Sequence, residues 1–301
     1  MVGVNLAWLY AITKYGYPPT MDQVYRVIDD AARLGFSSIE LEFVGYENLK
    51  EFENHRESLK RYLSERGVRV VNVAAILRDL VSMDSSAREK ALAYFRRSCE
   101  LAVDFGSNLI QTDTFTPPVN FIGASPYSRA IVFGERYRVE IPSSFSWISF
   151  WNTLVDTMRR CSRIAREYNL KFAVEPRIGE TISNSDAMLR LIDEVNEDNF
   201  GAVLDAGHLH AAKELIPLSI EKLGGRILYV HASDNDGRDN FHWAPGRGTI
   251  DWDAVFIGLK KHGYRGYIAV DVGGQDVRDR LDEEVTLAKN FIENKIKLYH
   301  L

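Results

Sequence analysis

Short, continuously apolar runs alternate with longer stretches of helical period along most of the chain. Val2 to Leu9 reads as a first strand. Thr20 then caps a helix whose apolar Val24, Val27, Ile28, Ala31 and Leu34 recur at helical spacing, and Gly35 stops it. Residues 37–43 read as strand two, 48–66 as a charged helix ended by Gly67, and 68–76 as strand three. The same unit continues with helix 86–105, Gly106 and strand 109–113. After it come helix 147–168 with strand 171–175, helix 185–195 with strand 201–205, and helix 210–223 with strand 226–231. Helix 251–262, strand 266–271 and a closing helix over 283–297 complete the pattern. Strands apolar throughout, joined by helix-length crossovers, are parallel strands buried on both faces. The spacing predicts a (β/α)8 TIM barrel, one domain over 1–301. A doubly wound open sheet is the alternative, but no glycine-rich dinucleotide turn follows the first strand.

One connection is out of proportion. Residues 114–146 carry prolines at 117, 118, 126 and 142, with Phe115, Phe121, Tyr127, Phe133 and Tyr137, and no helical period. A connection this long is read as a lid or binding loop. Its place after strand four sets it over the barrel mouth, where it covers a substrate; an oligomer contact is the competing reading.

Polar chemistry gathers where strands five to eight end. Those runs deliver Glu175, Asp205, His231 and Asp271, and in a closed barrel such ends converge on one mouth. Three carboxylates and an imidazole there suit one divalent cation: Mn, Mg, Co or Zn. Side chains alternate along a strand, so Glu175 shares a face with Arg177, Gln111 with Asp113, and Glu40 with Glu42. Four of the seven histidines fall between positions 208 and 242, a clustering that packing alone does not account for. A metal-ligating His231 needs an acceptor for its other ring nitrogen, and Asp234 is a candidate. His55, His262 and His300 read as solvated residues on helix faces.

A net charge of −5 excludes broad binding to nucleic acid or an anionic membrane surface. Cys99 and Cys161 have no ligand spacing and lie in amphipathic helices, so they read as buried thiols in a reducing compartment. No signal peptide is legible at Met1, and no apolar run reaches the ~20 residues of a membrane span. A soluble, cytoplasmic protein is expected.

The run from strand five to strand eight resembles the xylose isomerase-like barrels, the sugar phosphate isomerases and epimerases. The elements that carry the resemblance are Glu175-Pro176-Arg177, Asp205-Ala206-Gly207-His208, His231 with Asp234-Asn235-Asp236-Gly237, Pro245-Gly246-Arg247-Gly248 leading to Ile250-Asp251-Trp252, and Gly263-Tyr264 with Gly266-Tyr267. The residues at 35–40 add a weaker match. Ketose 3-epimerase-like members imply one divalent metal on Glu175, Asp205, His231 and Asp271. They also imply Glu175 and Asp271 as the acid/base pair, and His208 with an arginine, Arg238 or Arg247, on substrate hydroxyls. Arg177, His242 and Asp113 are further candidates for substrate contact. The resemblance implies a small sugar or polyol substrate and a homodimer or homotetramer. Asp271 departs from the family pattern, where glutamate is usual, and its carboxylate sits about 1.5 Å further back.

Three chemistries follow. The first is interconversion of ketoses, or of ketose and aldose, by proton abstraction through a metal-stabilised enediolate. The second is dehydration of a keto-polyol by an inosose dehydratase-like lyase, which needs only one base. Abasic-site DNA endonucleases of the superfamily hold three zinc ions, and strands two to four here offer no histidine for that. A non-catalytic sugar-binding role is the remaining class.

Overall fold

The computed structural model describes residues 2–125 and 136–301. Eight parallel strands close into a barrel: β1 (Gly3–Leu6), β2 (Ser38–Val44), β3 (Arg69–Ile76), β4 (Leu109–Thr112), β7 (Lys171–Val174), β8 (Phe200–Asp205), β9 (Ile227–Ala232) and β10 (Tyr267–Val270). β5 (Asn120–Ile122) and β6 (Arg138–Glu140) form a separate antiparallel pair inside the long connection. β1 pairs with both β2 and β10, which leaves the barrel no free edge. The open-sheet alternative is thereby excluded, and the barrel stands.

The helices are α1 (Leu9–Tyr15), α2 (Met21–Arg33), α3 (Gly45–Asn54), α4 (Arg56–Glu65), α5 (Ser85–Asp104) and α6 (Trp147–Glu167), then α7 (Ser185–Val195), α8 (Ala206–Ala211), α9 (Ile216–Leu223), α10 (Trp252–Lys261) and α11 (Leu281–Tyr299). Local chemistry sets several of their starts. Thr20 and Gln23 bond each other's backbone at the head of α2, a reciprocal cap, and Asn184 caps α7.

Three expected elements differ from the structure. The first strand stops at Leu6, and Leu9 already belongs to α1, although the apolar run continues through both. The helix expected over 48–66 is two helices, broken where the backbone N–H of His55 closes α3 onto the Glu51 and Phe52 carbonyls. The helix expected over 210–223 is also two. Lys213 sits in the left-handed region at φ 66°, and Pro217 falls in the first turn of α9, where a missing N–H costs least.

Most of the core lies between strands and helices. A second, smaller cluster fills the barrel: Ala7, Val71, Leu109, Ala173, Val203, Tyr229 and Ala269. This inner layer positions the site. Two residues beyond Ala173 stands Glu175, beyond Val203 Asp205, beyond Tyr229 His231, and beyond Ala269 Asp271. Strand alternation therefore lifts each polar group one layer above an apolar floor. No helix of the described residues is long and apolar enough to cross a membrane. Cys99 and Cys161 are buried free thiols.

Within the long connection, Phe115 is buried and lines the cavity above the barrel. Phe121 packs edge-on against Tyr137 on the antiparallel pair. Tyr127 and Phe133 lie outside the described residues.

Candidate metal centre

Glu175, His231 and Asp271 line one small chamber of 90 Å³, and these three and Asp205 are each at least nine-tenths buried. Their donor atoms form two overlapping triads, Asp205 with His231 and Asp271, and Asp205 with Glu175 and His208. Within each triad all donor atoms lie within 4.8 Å of one another. Asp205 is the shared member. Its Oδ1 accepts the backbone N–H of His208 at 2.7 Å, capping α8, while Oδ2 is buried with no hydrogen bond, 3.7 Å from His231 Nδ1. A buried carboxylate oxygen left unsatisfied is costly unless something charged meets it. The mixed carboxylate and imidazole donors fit a divalent cation, and the buried Glu/Asp/His grouping is consistent with such a site.

Gly207, beside Asp205, is required by close approach, since a Cβ there would stand 2.3 Å from Ser233 Oγ. The neighbouring strand is packed that tightly against the start of α8.

His231 is held at both ring nitrogens, Nδ1 against Glu175 Oε1 at 2.9 Å and Nε2 against Glu40 Oε2 at 3.1 Å. Burial disfavours its charged form, but Glu175, Glu40 and Asp271 outweigh that and hold its pKa well above the usual value. Glu40 continues into a buried polar layer. Tyr229 donates to it at 3.4 Å and Asn72 at 3.3 Å, and Asn72 also donates to Gln111 at 2.5 Å. In the sequence this layer shows only as the shared faces of Glu40 with Glu42 and of Gln111 with Asp113.

Asp234, the candidate partner of His231, is turned away from it. It accepts from the backbone of Asn235 (2.9 Å), Gly246 (2.8 Å) and Ile250 (3.2 Å) and from Trp252 Nε1 (2.9 Å). A Cβ at Gly248 would meet Asp234 Oδ1 at 2.3 Å, so the Pro-Gly-x-Gly motif is the packing surface for this hub. The hub orders the loop that carries His242 back to the mouth, where Gly273 N–H bonds the His242 carbonyl.

His242 Nδ1 lies 2.9 Å from Asp271 Oδ2. Burial works against charge on that imidazole, yet the Asp271 carboxylate prevails and raises its pKa. Burial likewise opposes ionisation of Asp271, and His242 with His231 reverse the balance, so Asp271 titrates below the ordinary range. The His208 ring packs edge-on against His242, with Nδ1 buried and unbonded. Burial, then the charge of Arg177, drives its pKa well below the usual value, leaving a neutral imidazole.

Arg177 is bonded to Asp113 at 2.9 Å and stands 4.0 Å from Glu175 and 3.9 Å from Glu180. Glu180, which sequence reading weighed only as a partner for Arg177, accepts the backbone N–H groups of Thr114 and Phe115, both at 2.9 Å, and fixes the start of the long connection. Burial, with Asp113 nearby, pushes its carboxyl up to about 8. Arg238 is exposed and outside the lining of either chamber, and Arg247 pairs with Glu284 at 3.2 Å. Arg177 is the arginine that lines both chambers, while Arg78 lines only the outer one. Trp8, buried with its Nε1 unbonded at the deep chamber, carried no sequence signal, being one aromatic in an apolar run.

Comparison with known proteins gives a consistent answer. Inosose isomerase of Bacillus subtilis is 31% identical over 127 residues, covering 39% of this chain and 45% of that protein. Inosose dehydratase of Clostridium perfringens is 23% identical over 165 residues, 49% of this chain and 56% of that protein. These alignments span about half the length of the curated relatives. The crystal structure of D-psicose 3-epimerase from Clostridium cellulolyticum H10 superposes with a TM-score of 0.73 at 17% identity, covering 98% of this chain and 99% of that one. The IOLI protein with a bound zinc atom gives 0.72 at 18%, covering 99% of each. At these identities the structural likeness shows the fold. The family model described as xylose isomerase-like TIM barrel matches residues 28–291. A match over that much of the chain places this protein in the xylose isomerase-like TIM barrel family, a superfamily of sugar isomerases, epimerases and dehydratases.

Proposed function

We propose that the protein is a divalent-metal-dependent isomerase or 3-epimerase of a ketose or related keto-polyol. Glu175, Asp205, His231 and Asp271 hold the cation, and Glu175 and Asp271 move the proton. The observation that supports this reading is Asp205, fully buried, shared by the two donor triads and with its Oδ2 free of any hydrogen bond. When bound, a cation of the Mn, Mg, Co or Zn class supplies Lewis-acid polarisation of the substrate carbonyl, which makes the neighbouring C–H removable near neutral pH.

The chain's own groups do the rest. Glu175 follows β7 and Asp271 follows β10, two strands separated by β8 and β9, so their carboxylates approach the chamber from different sides. One removes the proton and the other returns it. His231 is orientated by Glu40, which makes it a fixed donor. Neutral His208 offers Nδ1 to a substrate oxygen, and Arg177, orientated by Asp113, faces a second. His242 sets the direction of Asp271. In deuterated water, protein stripped of metal is expected to lose solvent exchange at the carbon beside the carbonyl and to regain it with Mn or Co. No exchange with any ketose of a common panel, metal present, removes the reading.

Dehydration of a keto-polyol is the second reading, and Asp271 is what favours it. That carboxylate is short and already bonded to His242, and an elimination needs only the Glu175 side. Ultraviolet absorbance from an enone or enol product, formed from inosose-like compounds, separates the two reactions.

A further inference from the structure

Above the deep chamber opens a second, much larger one. Its volume is 660 Å³, and His208, His242, Asp113 and Arg177 line both, so the two are continuous. Cavities of about 300–1,000 Å³ enclose drug-sized ligands. A free six-carbon sugar, with about a dozen non-hydrogen atoms, falls well short of that.

The lining of the outer chamber has two unlike sides. One carries buried polar atoms without hydrogen bonds: His208 Nδ1, Asp113 Oδ1, Glu180 Oε1 and Asn240 Oδ1. On the far wall the polar atoms are already mated. Tyr17 donates to Glu42 at 2.7 Å, and Tyr46 donates to Asp79 at 2.6 Å. What that wall presents is apolar surface from Leu77, Phe115 and Ile178, continued toward the deep chamber by Leu9, Ile12 and Ile76, which line both. A polyol placed there would give up its hydrogen bonds to water and find few in return.

Phe115 points to a role for this surface. It is a bulky residue in the left-handed region, at φ 52°, a conformation that needs holding. Glu180 takes its N–H, and Thr181 bonds its carbonyl through both N–H (2.8 Å) and hydroxyl (2.7 Å). The restraint keeps a ring on the cavity wall, 4% exposed.

We infer that the outer chamber is a subsite for an apolar, aromatic aglycone, so that the substrate is a keto-sugar carrying an aryl group on its glycosidic oxygen rather than a free ketose. The inference rests on the metal-centred reading above, since the keto end is what reaches the deep chamber. The unbonded polar atoms read the sugar, and the mated wall takes the ring.

The test uses metal-loaded protein with 3-oxo-glucose and phenyl 3-oxo-β-glucopyranoside. Binding is followed by calorimetry, and exchange beside the carbonyl is followed in deuterated water. The phenyl compound is expected to bind at least tenfold more tightly. That preference should fall to within threefold in Phe115→Ala and in Ile178→Ser, the second altering a half-buried loop residue that the fold tolerates losing. Equal binding of the two compounds, or a preference that neither variant reduces, overturns the inference. Exchange without aryl preference leaves the metal-centred reading standing and removes only the subsite. Aryl preference without exchange on either compound supports the subsite and removes the assigned reaction.

Discussion

The two halves of the barrel mouth are built from the same strand–helix unit and have diverged in chemistry. After β7 to β10 the strand ends carry Glu175, Asp205, His231 and Asp271, and the loop beyond β9 adds His242. After β1 to β4 they lead into Leu9, Tyr46, Leu77 and Phe115, where Tyr17 bonds Glu42 and Tyr46 bonds Asp79, although Trp8 Nε1 and Asp113 Oδ1 stay unbonded. The first half also lends Glu40 and Asp113, but as partners that orientate His231 and Arg177. On the proposed reading, one arc supplies the reactive groups and the other supplies surface for recognition.

The sharpest break of this comparison comes from the reactive arc. His231→Ala or Asp205→Ala should weaken Mn affinity by on the order of a hundredfold or more, read by calorimetry, because each removes a donor outright. Leu77→Ala, on the other arc, should leave Mn affinity unchanged while weakening binding of aryl-bearing ligands. Glu40→Gln tests the one crossing between the arcs. Loss of the charge behind His231 should lower metal affinity about 10–100-fold, as for other groups that orientate a ligating histidine.

Stability separates a loop hub from a ligand. Asp234→Ala strands four donors and should cost about 2 kcal/mol or more in urea unfolding of the metal-free protein, as does any loss of a buried acceptor network. The same change should disturb His242 rather than His231, visible in histidine NMR shifts.

A last effect concerns pH. Burial pushes Glu42 up to about 8, so the folded state holds its proton more tightly than the unfolded state does. That contribution to stability is complete below the ordinary carboxylate range and is lost as pH rises through about 8. Glu42→Gln should therefore flatten the stability profile of the metal-free protein between about pH 4.5 and 8, measured by thermal unfolding at each pH.

Much of this was legible in the chain because parallel strands buried on both faces read as unbroken apolar runs, each ending at a polar residue. The strand ends at 175, 205, 231 and 271 could be located that way, and alternation alone placed them above one floor. Three features resisted. The apolar period passes through Leu6 to Leu9 without a break, so the strand-to-helix switch left no mark. Asp234 lies three residues from His231, a spacing that suggests pairing, yet its donors come from positions 235 to 252 and only folding reveals them. Phe115 reads as one aromatic among several in a proline-rich loop, and nothing local announces that Glu180 and Thr181, more than sixty residues on, will pin its backbone.

The central claim is one cation at one point, reached by four side chains from four consecutive strands of the barrel. Anomalous diffraction from crystals soaked in Mn tests it most directly. The account predicts a single strong peak in the deep chamber, with oxygen or nitrogen atoms of Glu175, Asp205, His231 and Asp271 at about 2.0–2.4 Å. A peak elsewhere, or these groups turned from it with His231 still bonded to Glu175 and Glu40 alone, would contradict it.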